Sequence, residues 1–162
     1  MAYLLDANVF IQAKNLQYGF DFCPAFWEWL TRTHGAGRLY SIRQVGDELT
    51  AGADELTAWA EAQGDGFFVP TDADVLTAAP AVSGWVVRQG FDPAAVNTFL
   101  QVADFWLVAA ALAGRHTVVT HEVASPTLKR IKIPNVCVGL GIEFMNPYQM
   151  LRKEQARFVL GG

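Results

Sequence analysis

Tyr3-Leu-Leu-Asp6-Ala-Asn8-Val-Phe10 (YLLDANVF) is the stretch on which the reading of the fold turns. Its first three residues are a short apolar run, which predicts a strand, and the run stops on a carboxylate. Asn8 suits the turn before a helix. The segment therefore reads as strand, acid, helix, with Asp6 at the carboxyl end of the strand. The same grammar recurs downstream. Residues 39–42 predict a second strand, followed by a helix whose buried stripe is Ile42, Val45 and Leu49 and which ends near Gly52. Residues 67–69 predict a third strand, and residues 117–120 a fourth that runs into His121 and Glu122. Val136 to Val138 reads as a fifth.

Between these strands the helical signals are strong. Pro24 opens a helix carrying Phe26, Trp29 and Leu30, which stops near Gly35 and Gly37. Leu56, Trp59 and Ala60 mark another. Asp72 or Thr71 can cap a segment bearing Val75, Leu76, Val82, Trp85 and Val86, in which Pro80 is expected to break the helix into two pieces. Residues 103–113 are apolar all round except at Asp104, and Gly114 follows as a stop signal. Asn146 and Pro147 open a last helix. Helices alternating with short apolar strands predict a parallel sheet covered on both faces, a three-layer α/β/α domain. No repeat or linker divides the 162 residues, so one domain spanning residues 1–162 is expected.

Composition narrows the function classes. The chain is 52% hydrophobic and 17% charged, with five Trp and eleven Phe, and part of that apolar surplus is expected in a subunit interface. A net charge of -4 argues against gripping nucleic acid by overall electrostatics, so any such contact must be local. Lys129, Arg130 and Lys132 form the basic cluster that could hold phosphates. Cys23 and Cys137 stand apart without the spacing of a zinc site. No apolar run approaches the roughly 18 residues that span a bilayer, and the N-terminus lacks the basic segment of a signal peptide, so a cytoplasmic protein without a membrane contact is expected.

The acids carry the chemistry. Ligands of parallel α/β sheets bind beyond the carboxyl ends of the strands, where Asp6 and Glu122 both stand. Asp104, alone in an apolar helix, needs a partner, a cation or an opening to solvent. On the helix after the second strand, Asp47 points away from the buried stripe, while Glu48 lies about a quarter turn from its centre at 100° per residue. Glu48 can therefore border a crevice. Four carboxylates in one crevice repel, two unit charges about 4 Å apart costing about 4 kcal/mol at an effective dielectric of 20. Such a set calls for a divalent cation, and oxygen-only donors favour Mg²⁺ or Mn²⁺. The natural chemistry is hydrolysis of a phosphodiester.

At these residues the sequence resembles the PIN domains, the nuclease fold of VapC-like toxins. YLLDANVF resembles their first-strand motif, with Asp6 as first metal ligand and Asn8 in support. VGDEL resembles the helix supplying their Glu, matching Glu48. ADFWLVAAALAG resembles their alanine-rich helix with an early acid, matching Asp104. VVTHE resembles the end of their fourth strand, matching Thr120 and Glu122, although Asp is commoner than Glu there. The stretch from Gly52 to Asn97 is longer than in compact VapC-like toxins. The resemblance implies a sheet ordered 3-2-1-4-5, an Mg²⁺- or Mn²⁺-dependent endoribonuclease acting on RNA, a homodimer and, in the toxin branch, a cognate antitoxin. His121 beside the acids is a candidate proton carrier or ligand, or else a structural hydrogen-bonding group. The alternatives are an inactive PIN-like binding module and a metal-dependent phosphohydrolase acting on nucleotides. No Gly-rich phosphate loop supports the latter.

Overall fold

A computed structural model describes residues 1–64 and 66–161. Its centre is a five-stranded, all-parallel sheet in the order β3-β2-β1-β4-β5. The strands are β1 (Tyr3–Leu5), β2 (Leu39–Ile42), β3 (Phe68–Val69), β4 (Thr117–Val119) and β5 (Phe144–Met145). β1 lies in the middle and is buried throughout, as expected for a run of three apolar residues covered on both faces. It pairs with β2 through Tyr3 and Leu39, and with β4 through Leu4 and Val118.

Nine helices among the described residues flank this sheet in a three-layer α/β/α arrangement. They are α1 (Ala7–Gln12), α2 (Pro24–Gly35), α3 (Arg43–Thr50), α4 (Glu55–Ala62), α5 (Ala73–Val87), α6 (Pro93–Leu100), α7 (Ala103–Gly114), α8 (Ile133–Leu140) and α9 (Pro147–Lys153). A π-helical turn, Ala13–Gln17, continues α1. α7 packs on β2 and β4 and so crosses the centre of the sheet. Leu107, Val108 and Ala109 are fully buried there. Several helix starts follow from single side chains. Asp54 Oδ1 accepts from Thr57 N at 3.0 Å, Asp72 Oδ1 from Val75 N at 2.9 Å, and Asn146 forms a reciprocal capping box with Gln149.

Two local expectations are corrected. Residues 136–138 are not a strand; they lie inside α8, which has Pro134 in its first turn and is closed by Gly141 at φ 70°. Val136 and Cys137 are buried while Val138 is exposed, the one-sided pattern of a surface helix. The fifth strand is instead Phe144–Met145. Pro80 does not divide its helix either: α5 runs unbroken through it. Pro80 and Leu76 are both exposed, so the Leu76 carbonyl that loses its N–H partner faces water, and packing on α7 holds the helix together. No single helix among the described residues is long and apolar enough to cross a membrane.

Candidate functional site

The carboxyl ends of β1 and β4 are laced together by side chains. Asp6 occupies the position that caps α1, yet its carboxylate makes no capping bond. It is turned toward β4 instead, where Oδ2 accepts from Thr120 Oγ1 at 2.8 Å. The Thr120 hydroxyl oxygen in turn accepts from Asn8 Nδ2 at 3.3 Å and from the Glu122 backbone N–H at 3.0 Å. Asn8 Oδ1 accepts from His121 N at 3.1 Å. The network fixes Asp6, which is only 5% exposed, at a strand end where a freely rotating carboxylate would otherwise turn to solvent.

Next to this network lies a cleft of about 430 Å³ whose lining includes Glu48 from α3, Asp104 from the first turn of α7, Thr98 and Phe99 from α6, and Lys129 and Arg130 from the segment before α8. Glu48 faces the cleft and Asp47 does not, as their positions around the helix predict. Glu122 borders the group but is engaged by protein donors. Its Oε1 accepts from Ile133 N at 2.8 Å, the first N–H of α8, and its Oε2 lies 4.0 Å from Arg130 Nη2.

Charge couples these acids. Burial, then the negative charge of Asp104, push the Asp6 carboxyl up to about 7 against the pull of the Thr120 hydrogen bond, and Glu122 adds to the rise. Burial, then Glu122 and Glu48, push Asp104 up to about 6, while Arg130 opposes. Burial alone raises Glu48. Asp104 thus feels both Glu122 and Glu48, and Asp6 feels Asp104 and Glu122. Acids raised this far are short of positive charge.

As a cation site the set is open. Among the described residues no three His, Cys, Asp or Glu side chains stand together closely enough to hold a metal ion. Mg²⁺ or Mn²⁺, which commonly takes one or two carboxylates and keeps several waters, would need fewer protein donors than that. Asp6, buried, and Asp104, half-buried, both raised, would be the direct donors to such an ion. Glu48 lines the cleft wall, and Glu122 already has one oxygen bonded to a helix start.

The remaining predicted residues divide. Lys129 and Arg130 line the cleft, whereas Lys132 is not part of its lining and precedes α8 without a capping bond. The His121 ring packs edge-on to Tyr148 with centroids 5.9 Å apart, and burial lowers its pKa, which favours the neutral ring. His34 Nδ1 meets Leu39 O at 2.8 Å, and His116 Nδ1 accepts from Ala2 N at 3.0 Å, so both are tied to local backbone. Both cysteines are free, and burial pushes the Cys137 thiol up to about 12. What the sequence reading passed over is α6, which supplies the apolar wall opposite Glu48. Its signal was present in Asp92-Pro93, with Pro in the first turn.

Comparison with curated proteins gives no match. A family model, described as a domain of unknown function (DUF4411), matches residues 3–158, from the first residue of β1 to beyond α9. The match takes in every acid of the cleft together with the Thr120 network, and the chain belongs to that family.

Proposed function

We propose that this protein is a metal-dependent endoribonuclease of the PIN type, hydrolysing RNA phosphodiester bonds at the cleft bordered by Asp6, Glu48 and Asp104, with Glu122 at its margin. The supporting observation is the coupled rise of two acids on separate elements, the buried Asp6 to about 7 and the half-buried Asp104 to about 6, beside a cleft that also carries Lys129 and Arg130. Acids alone would bind a cation and repel RNA. Acids facing basic side chains across an open cleft suit a phosphate that brings its own negative charge to a bound cation. When bound, Mg²⁺ or Mn²⁺ supplies an activated water and offsets charge on the leaving oxygen. The chain's own residues do the rest. Thr120 holds Asp6 in one orientation, Asn8 holds Thr120, and Lys129 with Arg130 steady the substrate phosphate. A cytoplasmic location, a homodimer and, in the toxin branch, a cognate antitoxin belong to the same reading.

The test is cleavage of single-stranded and structured RNA by purified protein with Mg²⁺ or Mn²⁺, with and without EDTA. Activity should need the ion, and Asp6→Asn, which keeps an acceptor for Thr120 but removes the charge, should be folded and nearly inactive. Equal cleavage by that variant would place the activity elsewhere. Ion binding without cleavage of any RNA would leave an inactive binding module.

A further inference from the structure

A second, smaller cavity of about 230 Å³ lies at the same edge of the sheet, where β2 and β3 end. Ile42 and Val69, the last residues of those strands, form part of its lining, with Val75 and Ala110 buried beneath and the half-buried Trp106 as a wall. Its polar groups are Gln44, Thr71 and Asp72. Gln44 Nε2 donates to Thr71 Oγ1 at 3.0 Å, while Gln44 Oε1 is buried without a partner. The bond of the amide nitrogen to Thr71 Oγ1 leaves the oxygen, an acceptor, as the end without a partner. Unpaired buried amides are uncommon and call for an explanation, a missing ligand among them. Asp72 commits one oxygen to capping α5, and its exposed side chain sits at the rim.

The place of this cavity matters as much as its lining. Gln44 stands one helical turn before Glu48 on the same face of α3, and Trp106 is on the same helix as Asp104, two residues on and so on another side of α7. Two helices that carry the acids of the cleft therefore also carry the polar group and the aromatic wall of the cavity. The volume is below the roughly 300–1,000 Å³ of sites for drug-sized ligands, which suits one planar ring system rather than a whole nucleotide.

We propose that this cavity is a base-reading subsite, receiving one unpaired nucleobase of an RNA strand whose backbone lies in the adjacent acidic cleft. This rests on the reading of that cleft as an RNA-cutting site. Single-stranded RNA is recognised by splaying a base out, stacking it on an aromatic ring and bonding its edge to side chains. Trp106 provides the ring. The unpaired Gln44 carbonyl and the Asp72 carboxylate are both acceptors, so the occupant is a base with an exocyclic amino group, adenine or cytosine, in preference to uracil. Glutamine pairing to adenine and carboxylates accepting from the cytosine amine are established matches of this kind.

The experiment uses the full chain with Ca²⁺ in place of Mg²⁺ or Mn²⁺, so that a cation offsets the acids while binding is read without the ions that support cleavage. Fluorescence anisotropy measures the affinities of eight-nucleotide oligo-A, oligo-C and oligo-U for the wild type, Gln44→Leu and Trp106→Phe. The wild type should prefer oligo-A or oligo-C over oligo-U by about tenfold, the discrimination expected of one good base contact. Gln44→Leu should bind all three alike, with oligo-U affinity unchanged. Trp106→Phe should weaken all three while keeping the order, and should lose part of the tryptophan quenching caused by RNA. Equal affinities in the wild type, or a preference that survives Gln44→Leu, overturns the subsite. Should Gln44→Leu fail to fold, the Trp106→Phe quenching decides. If RNA is cut with Mn²⁺ and the cut positions are the same in wild type and Gln44→Leu, the subsite fails while the nuclease stands. If no RNA is cut but the base preference is present and lost in Gln44→Leu, the nuclease reading fails and the subsite stands.

Discussion

Replacing Asp104 by Asn should make the metal-free protein more stable above pH 6 and leave it nearly unchanged near pH 4. Asp104 is raised from 3.8 to about 6 by burial and by the charges of Glu122 and Glu48. A carboxyl whose folded pKa lies above its unfolded one holds its proton more tightly in the native state. Its cost to stability is therefore absent below about 3.8, grows as pH rises to about 6 and is complete above that value. At about 1.36 kcal/mol per unit the full cost is on the order of 3 kcal/mol. Asn removes the charge and keeps the shape, so most of this should return as stability. For a chain of this length 1 kcal/mol moves the melting temperature by about 2–4 °C, so a rise of about 6–12 °C at pH 8 is the upper expectation. Mn²⁺ should stabilise the two proteins unequally. A hundredfold excess over Kd stabilises the wild type by about 2.7 kcal/mol, and the variant, short of one donor, should respond much less. Thermal melts at pH 4 and pH 8, in EDTA and in Mn²⁺, measure all of this. A variant less stable than wild type in EDTA at pH 8, with an equal response to the ion, would refute the coupled acid cluster.

Mn²⁺ binding measured by calorimetry should weaken steeply between pH 8 and pH 5.5, because Asp6 at about 7 and Asp104 at about 6 must lose protons to bind the ion; affinity flat across that range would remove both as ligands. Glu122→Gln should fold as well as wild type in urea, since the amide oxygen still accepts from Ile133 N, while Glu122→Ala should lose about 1–3 kcal/mol by leaving that N–H unpaired. Equal stability of the two variants would show that the bond contributes nothing. Gly139→Ala should cost about 1–3 kcal/mol, because a methyl there runs into the Trp85 ring where α8 meets α5; an unchanged urea midpoint would mean that the Trp85 ring moves aside freely.

The parts of the fold that could be read from sequence are those whose signal is local and undiluted. β2 matches its predicted bounds because a short, mostly buried run of four residues ends at a helix start, and α7 starts where predicted, although it runs one residue further, through Gly114, to a left-handed cap at Arg115. β5 could not be read, since two residues carry no periodicity, and the apolar run Val136-Cys137-Val138 offered a better strand than the true one. The contest there is settled by Pro134 and Gly141, which delimit a helix whatever lies between them. In the site, Glu48 was separable from Asp47 by angle alone. The bond from Glu122 to the start of α8 was not, because it joins residues whose relation exists only once the chain has turned between them. The Gln44 amide was equally invisible: only tertiary packing makes its Oε1 an atom without a partner.

The strand at the heart of the sheet is Tyr3–Leu5, and one of its two neighbours comes from residues 117–119. During synthesis β1 can meet β2 early, yet its other edge waits for more than a hundred further residues. Contacts this distant in sequence form slowly, since a long loop must close before they return anything. Asp6 shares the delay, for its orientation depends on Thr120, 114 residues away. A chain halted before that threonine lacks the hydroxyl that aims its first acid and the fourth strand that carries it. The centre is thus completed long after its first acid is made, and a copy that ends before Thr120 should be unable to hold Asp6 in place.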